Sequence, residues 1–528
     1  MVLRGDARGR AWSLPFERQP LERQPLGEWR AWPGFWGREG GLASPLRGLA
    51  PAKALFLLCA GCRLLHSLTE NLARTTAMDN AAIQASIRFG FGPGPNDGVA
   101  GDPRAALKAQ LRGPDPGIAA GYFDGLPSGQ EAVDTLRADA MIRHELLTAP
   151  AAERQAYRGL NGALYRQDAM SQLAWAMNTP ASFRERLVWF WANHFCVSVA
   201  QNNTGPLIGA MIREAIRPHV NGKFTDMVLA VERHPAMLRY LDNDTSVGPG
   251  SPAGLRSHRG LNENLGRECM ELHTVGLAAG YSQADVTSMA KILTGWSSAT
   301  SEKGSDSTGF KYRPNAHEPG PQVVMGRSFD GGEQAGVDAL RFLATYPTTY
   351  DLLATKLVTH FVADDPPPDA VAHISGVLRD THGDLHAASA ALVDLPQAWA
   401  PGQKLKTPFD YVVSTLRAAP PPAFQPPPNP VNVLNGLGQP VWGAPLPNGW
   451  PDQAASWAGS DAIMSRIDFA YTYAARFDSG ASGPQPVDIA NAAMGPLLRP
   501  ATVDAMAQAG SRREALTLFL VSPEFQRR

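Results

Sequence analysis

The stretch at residues 261–293, LNENLGRECMELHTVGLAAGYSQADVTSMAKIL, predicts two helices joined by a glycine-containing turn. The first helix covers about 261–275 and ends before Gly276, at the position after a helix where glycine is favoured. The second begins at Ser282, whose spacing to Asp285 is typical of a capping box ahead of apolar residues at helical intervals. The stretch therefore indicates a helical protein.

The same helical spacing continues through most of the chain from residue 79, including one long predicted helix at 150–176. The chain contains 51 Gly and 45 Pro, above the usual share of about 12%, which indicates long loops. Residues 308–329 carry the one convincing β pattern and predict one small ribbon. Residues 243–259 predict a flexible loop that could act as a lid, and seven prolines within 420–430 predict an extended connector. We expect a mostly α fold, a single large multi-helical domain over residues 78–528.

Residues 1–77 differ from the rest of the chain. They contain eleven Arg and Lys against six Asp and Glu, a balance of +5 in a chain of net charge −1, so residues 78–528 carry −6. We interpret them as a non-native extension upstream of a physiological start at Met78. A targeting segment and a disordered arm are the alternatives. Residues 46–62 contain a short apolar run before Cys62 that resembles a lipoprotein signal, although about fifty residues precede that run.

Composition and motifs exclude several classes of function. A near-neutral charge does not suit binding to nucleic acid or an anionic membrane, and no apolar stretch approaches the roughly 18–20 residues of a spanning helix. The sequence has no Walker loop, dinucleotide-binding glycine motif, HExxH, GxSxG or paired CxxC at zinc spacing. No metal ligands are assigned, and the cofactor is unknown.

One face of the 261–275 helix carries a polar stripe made of Asn264, Arg267 or Glu268, and Glu271. Three interpretations are open. The stripe can be a solvated face, or a buried ion-pair network in which Arg267 serves both carboxylates. It can also be a catalytic or ligand-binding site with one Glu as acid or base and His273 beside it. In the buried-network case, Glu271→Ala would cost about 3–5 kcal/mol of folding free energy.

A second candidate segment is the predicted helix at 180–199, which is apolar around its circumference and should be buried. A lone histidine in such a helix, as His194 is, is more often a hydrogen-bonded core residue than a ligand. If it approaches Glu268 or Glu271, a metal or acid–base site becomes feasible. The catalytic candidates are Glu268, Glu271, His273 and His194. The candidates for ligand binding are Asn262, Asn264, Arg267, Trp296, His317 and Trp450.

The run from Asn262 to His273, continued by Gly276 and by Leu293–Trp296, resembles the signature of the bacterial family catalogued as domain of unknown function 1800. Other segments agree in order: Arg88–Gly92, Phe190–Phe195, His317–Pro321, Lys356–Val362, Pro408–Ala418, Gly438–Pro440, Asn448–Pro451 and Ser522–Phe525. The resemblance covers about residues 78–528. It implies no reaction and no catalytic residue. Many members resemble exported proteins that neighbour a secreted sulfatase-like family, which suggests a partnership with that family.

Two classes of function follow. The first is an accessory or binding protein that acts through its loop surfaces on a partner or polymer. The alternative is a hydrolase-like or metal-assisted enzyme with a Glu/His site on the 261–275 helix. The partner is otherwise unknown. A chain that starts at Met78 would be cytoplasmic, whereas a signal at 46–62 would make the protein exported or a lipoprotein.

Overall fold

The computed structural model describes residues 80–94, 101–157, 159–201, 203–257, 260–303, 305–421, 428–478 and 484–528, which belong to one structural unit, Ala77–Arg528. Helices dominate these residues, so the expected mostly α single domain is confirmed. The predictions for the extension at 1–77, the start at Met78 and the signal at 46–62 lie outside the described residues. Most of the proline connector, 422–427, lies outside them as well.

In the described residues, the first half of the domain contains thirteen α-helices, the last two of which lie in the 261–293 stretch. Two helices continue into π-helical turns: α8 into Ile212–Ile216 and α12 into Cys269–His273. The helices are α1 (Asn80–Phe89), α2 (Pro103–Gln110), α3 (Pro116–Ala119), α4 (Gly129–Glu145), α5 (Ala151–Ala156), α6 (Asn161–Asn178), α7 (Ser182–His194), α8 (Gly205–Met211), α9 (Phe224–Arg233), α10 (Pro235–Tyr240), α11 (Pro252–Ser257), α12 (Asn264–Glu268) and α13 (Gln283–Leu293).

The second half is also helical after a short β region. Its helices are α14 (Glu333–Ala344), α15 (Pro347–Phe361), α16 (Pro368–Asp380), α17 (Leu385–Asp394), α18 (Pro408–Ala418), α19 (Pro430–Gly436), α20 (Ser460–Ala474), α21 (Pro486–Met494), α22 (Pro500–Ala507) and α23 (Arg512–Leu520).

The predicted ribbon near 308–329 is present as two separate antiparallel pairs. Strand β1 (Trp296–Ser298) pairs with β2 (Phe310–Tyr312), and β3 (Gln322–Val324) pairs with β4 (Arg327–Phe329). Met325 and Gly326, both with positive φ, form a two-residue turn of the kind that favours a tight hairpin between β3 and β4. This local turn pairs β3 with β4, and β2 pairs with β1 instead.

Side-chain caps explain several helix starts. Ser282 and Asp285 form the predicted capping box at the start of α13, each binding the other's backbone N–H. Ser128 and Glu131 form a second capping box at α4. Asp102 accepts hydrogen bonds from two backbone N–H groups at the start of α2. The sequence prediction of the α13 start is therefore confirmed.

Three segments differ from the sequence-based expectation. The long helix expected at 150–176 is divided into α5 and α6, because the loop between them binds Asp139 through the Tyr157 hydroxyl and the Leu160 N–H. The helix expected at 261–275 is a short α-helix followed by a π-helical turn. The loop expected at 243–259 contains α11.

A network of buried ion pairs joins α7 to the segment that follows α8. Arg217, after the π-helical turn of α8, donates to both carboxylate oxygens of Glu185 on α7 at 2.7 Å, and its Nη1 lies 3.3 Å from Asp115. All three side chains are buried, so their charges depend on one another for compensation.

Among the described helices, none is both long and apolar enough to cross a lipid bilayer.

Candidate functional site

A cleft of about 670 Å³ lies between the C-terminal end of α7, one face of α15 and the loop at 445–457. We call it the outer cleft. α7 and α15 are held side by side because the rings of Phe183 and Phe361 pack edge-on at 5.8 Å in the core. The lining residues are Phe190, Asn193, His194, Thr355, Lys356, Thr359, Pro445, Leu446, Asn448, Gly449, Trp450, Pro451, Asp452, Gln453, Ser456 and Trp457.

Asn193 holds the loop against α7. Its side-chain amide donates to the Trp450 carbonyl at 2.9 Å, and its Oδ1 accepts from the Trp450 N–H at 2.8 Å. Gly449 makes this close approach possible, since its φ is +77° and a Cβ atom there would lie 2.5 Å from the Asn193 carbonyl oxygen. The loop and the helix therefore form one wall of fixed shape.

Lys356 on α15 is the cationic group of the outer cleft. Its ammonium donates to the Leu272 carbonyl and to Nδ1 of His194, both at 3.1 Å. Burial lowers the pKa of Lys356 to about 8, with Asp452 opposing the change. Among the described residues no carboxylate lies within ion-pair distance of this ammonium. Lys356 can therefore accept an anionic partner.

Aromatic side chains supply the apolar part of the outer cleft. The rings of Trp450 and Trp457 lie 5.8 Å apart, and Trp457 Nε1 donates to the Pro451 carbonyl at 2.9 Å. Phe190 adds a third ring on the α7 side. Trp450 is half-buried, whereas Trp457 and Phe190 are each only 6% exposed and fill the wall behind it. A wall of rings fixed in this way binds a ligand at little cost in conformational entropy.

A smaller cavity of about 90 Å³ lies next to the outer cleft and shares part of its wall, including Asn193, Trp450 and Asp452. We call it the inner cavity. Its polar lining includes His360, whose Nδ1 lies 2.7 Å from Asp452 Oδ1. In the described part of the chain the buried Nε2 of His360 has no hydrogen-bond partner.

The environment of His360 sets its protonation. Burial lowers the pKa of His360 to about 4, although the Asp452 carboxylate opposes this change and Arg528 and Arg186 add to it. The ring is therefore neutral at pH 7, with its proton on Nδ1 facing Asp452. Its Nε2 carries a lone pair that can accept a proton or a hydrogen bond.

The model of the family described as "Protein of unknown function (DUF1800)" matches residues 84–527. The chain belongs to this family. No curated protein and no solved structure matches the chain.

Four of the segments that resemble the DUF1800 family meet at the two cavities. Phe190–Phe195 supplies the α7 wall, Lys356–Val362 the α15 wall, and Asn448–Pro451 the loop. Gly438–Pro440 contributes Gln439 and Pro440 to the inner cavity. The α7 segment, the α15 segment and the two loop segments lie far apart in the sequence, so the fold brings these DUF1800 motifs together here.

His194 and His273 lie close together, whereas the sequence interpretation depended on an approach of His194 to Glu268 or Glu271. His194 Nε2 lies 3.1 Å from the His273 carbonyl, and burial lowers the pKa of His194 well below its usual value, with the Lys356 charge as the next cause. His273 itself is buried, with Nδ1 2.7 Å from Glu232 Oε1. His194 lines the outer cleft, whereas His273 pairs with Glu232 in the core.

The two glutamates of the polar stripe do not line the outer cleft. Both are half-buried, and burial raises the pKa of Glu268. Arg267 does not bridge them, because it donates instead to Glu263 at 3.1 Å and to Gln283 at 3.0 Å. A buried network centred on Arg267 is thus not formed, and a role for Glu268 and Glu271 in binding or catalysis stays a prediction.

The remaining candidates hold the backbone or fill the core. Asn262 Oδ1 accepts from the N–H of exposed Asn264, the first residue of α12. Trp296 is fully buried on β1. His317 is also buried; its Nδ1 lies 2.9 Å from the Thr294 carbonyl and its Nε2 accepts from the Gly332 N–H. Of the six ligand-binding candidates, Trp450 alone lines the outer cleft.

Sequence reasoning missed Lys356, His360 and Asp452 as site residues. Lys356 and His360 are four residues apart on α15, so one helix face carries both. Asp452 follows directly on the Asn448–Pro451 segment. Within the described residues, no group of three or more His, Cys, Asp or Glu side chains is arranged to hold a metal ion.

Proposed function

We propose that the chain is a binding protein that takes a small ligand in the outer cleft. The ligand carries an anionic group, which pairs with Lys356, and a flat apolar part, which lies on Trp450 and Trp457. The observation that carries the proposal is the ammonium of Lys356, a residue that lines an aromatic-walled cleft and has no carboxylate partner among the described residues.

The size and composition of the outer cleft support this role. Ligand sites are typically about 300–1,000 Å³, mostly apolar, with a few polar groups that set orientation, and the cleft holds about 670 Å³. Aromatic walls reduce the water around the ammonium, which strengthens an ion pair formed there. A ligand with both chemical parts therefore fits better than a neutral or a purely ionic one.

Replacement of Lys356 by methionine is expected to weaken binding of the anionic probe 8-anilinonaphthalene-1-sulfonate by roughly ten- to hundredfold, since a charge-assisted hydrogen bond contributes about 1.5–3 kcal/mol. The neutral probe N-phenyl-1-naphthylamine has the same rings and should bind Lys356→Met as it binds the wild type. Fluorescence titration measures both. The half-buried, ion-paired Lys108, outside the cleft, gives the control Lys108→Met. Equal loss for both probes, or no loss for either, would contradict the proposal.

A second candidate function is an acid–base enzyme, favoured by the His360–Asp452 pair. Asp452 fixes the His360 tautomer, and Lys404 donates to the Asp452 carbonyl at 2.9 Å, which positions that residue. The buried Nε2 then accepts a proton from a hydroxyl or water of a bound substrate, while Asp452 stabilises the imidazolium that forms. This enzyme hypothesis places the site on α15 and not on the 261–275 stretch.

If the enzyme hypothesis holds, His360→Asn should lower turnover by about a hundredfold to ten-thousandfold, the usual contribution of a positioned acid or base. The measurement is release of p-nitrophenol from a panel of p-nitrophenyl esters, phosphates and glycosides. Exposed His144 supplies the matched control, His144→Asn. Absence of turnover by the wild type, or equal turnover by His360→Asn, would favour binding alone.

A further inference from the structure

A cluster of buried cations lies beside the inner cavity. Asp410, on α18, is bound on both sides: Arg186 Nη1 donates to Oδ1 at 2.9 Å, and Arg528 Nε lies 3.0 Å from Oδ2. Burial alone would raise the pKa of Asp410, yet the two guanidinium groups lower it. One carboxylate thus serves two buried arginines.

Two more buried cations adjoin this trio. The ammonium of Lys406 lies 4.0 Å from the centre of the Phe525 ring, and in the described structure it forms no ion pair. Arg466 donates to the Lys406 carbonyl and to Gln526 Oε1, both at 2.8 Å, so neutral groups are its hydrogen-bond acceptors. We call Arg186, Lys406, Arg466 and Arg528 the cation cluster.

The cation cluster has more positive charge than its surroundings compensate. Asp410 lies within ion-pair distance of Arg186 and Arg528 only, and Asp452 is the other carboxylate that acts electrostatically on these two arginines. Two carboxylates thus serve four buried cations, and an α-carboxylate on Arg528 itself would still leave cations in excess. Burial and the neighbouring Arg186, Arg528 and Arg466 lower the pKa of Lys406 to about 7 against the effect of Asp410. Uncompensated buried charge is strongly unfavourable.

The hydrogen-bond donors of the Arg528 guanidinium indicate where a negatively charged group would bind. Its Nη1 and Nη2 are buried and have no hydrogen-bond partner among the described residues. Such donors are almost always satisfied in folded proteins. Water could accept these hydrogen bonds, but water would not offset the charge. A guanidinium with both Nη groups available matches the bidentate geometry of an oxyanion.

We propose that the cation cluster binds a tetrahedral oxyanion, a phosphate or sulfate group, on the Nη groups of Arg528 with Lys406 as a second cationic contact. The inner cavity, whose lining includes Arg186 and Asp410, adjoins this site. The group is a free ion or the end of a larger ligand, and its chemistry is the same in both cases. This site goes beyond the proposed outer-cleft function and does not depend on Lys356.

The test is calorimetric titration of the full chain with inorganic phosphate and with sulfate at constant ionic strength. Wild type should bind one ion saturably, and Arg528→Met should bind at least tenfold more weakly. Exposed Arg527, its neighbour, provides the control Arg527→Met, which should bind as the wild type does. Lys356→Met should also retain the ion, so failure of the outer-cleft proposal and failure of this one are distinguishable.

Further measurements distinguish a free ion from the end of a larger ligand and provide for a variant that does not fold. Phenyl phosphate that competes with inorganic phosphate identifies the site with the end of a larger ligand, whereas binding of inorganic phosphate alone identifies a free ion. If Arg528→Met does not fold, Lys406→Met takes its place with the same expected loss. Native mass spectrometry of the wild type should show one retained oxyanion. No saturable binding by the wild type, or equal affinity in the variants of the cation cluster, overturns the proposal.

Discussion

Glu185→Ala is expected to lower the free energy of unfolding by about 3–5 kcal/mol, the usual cost of removing one partner from a buried ion pair. Arg217 would lose both of its 2.7 Å hydrogen bonds to this carboxylate. It would keep Asp115 at 3.3 Å and Gln172 at 2.6 Å, which leaves a buried guanidinium with weaker compensation. Trp189 Nε1 would also lose its acceptor on Glu185.

Urea unfolding followed by circular dichroism measures this change. The matched control is Glu145→Ala, because Glu145 is exposed at the end of α4 and surface substitutions usually change stability by less than about 0.5 kcal/mol. Equal losses in the two variants would show that the Arg217 network does not stabilise the fold. A selective loss in Glu185→Ala would show that the network holds α7, and with it one wall of the outer cleft.

Gly449→Ala is expected to abolish the shape of the outer cleft. The residue has φ +77°, and an added Cβ would lie 2.5 Å from the Asn193 carbonyl oxygen and 2.7 Å from its Oδ1. Strain at a positive φ together with the clash should cost about 2–4 kcal/mol. Because the loop must move away from Asn193, we expect binding of both naphthalene probes to fall by at least tenfold.

Gly438→Ala is the control that introduces backbone strain without a steric clash. Gly438 has φ +80°, but nothing lies within 4 Å of the Cβ position, so the substitution should cost about 1–2 kcal/mol from backbone strain alone. Probe binding should stay at the wild-type level. Equal binding by Gly449→Ala and Gly438→Ala, measured by the same fluorescence titration, would show that contact between the loop and Asn193 does not shape the cleft.

Local signals in the sequence were sufficient for most of the secondary structure. The capping box at Ser282 and Asp285 acts over three residues, and the buried α7 follows from apolar residues around its whole circumference. These signals involve neighbours within one or two helical turns, so a linear pattern contains them. The same locality leaves the partner of β2 undetermined by the sequence, since β1 lies beyond a loop and no short pattern specifies that pairing.

The sequence by itself therefore determined a mostly α domain and its place in the DUF1800 family, and it placed His194 on a buried helix. Only the tertiary structure decided which charged groups meet. Lys356 reaches His194 across 162 positions, His360 meets Asp452 across 92, and Arg267 pairs with Glu263 rather than with the two glutamates beside it on the stripe. Such contacts depend on how whole helices pack, because a buried charge is stabilised by whichever opposite group the packing brings within hydrogen-bond distance.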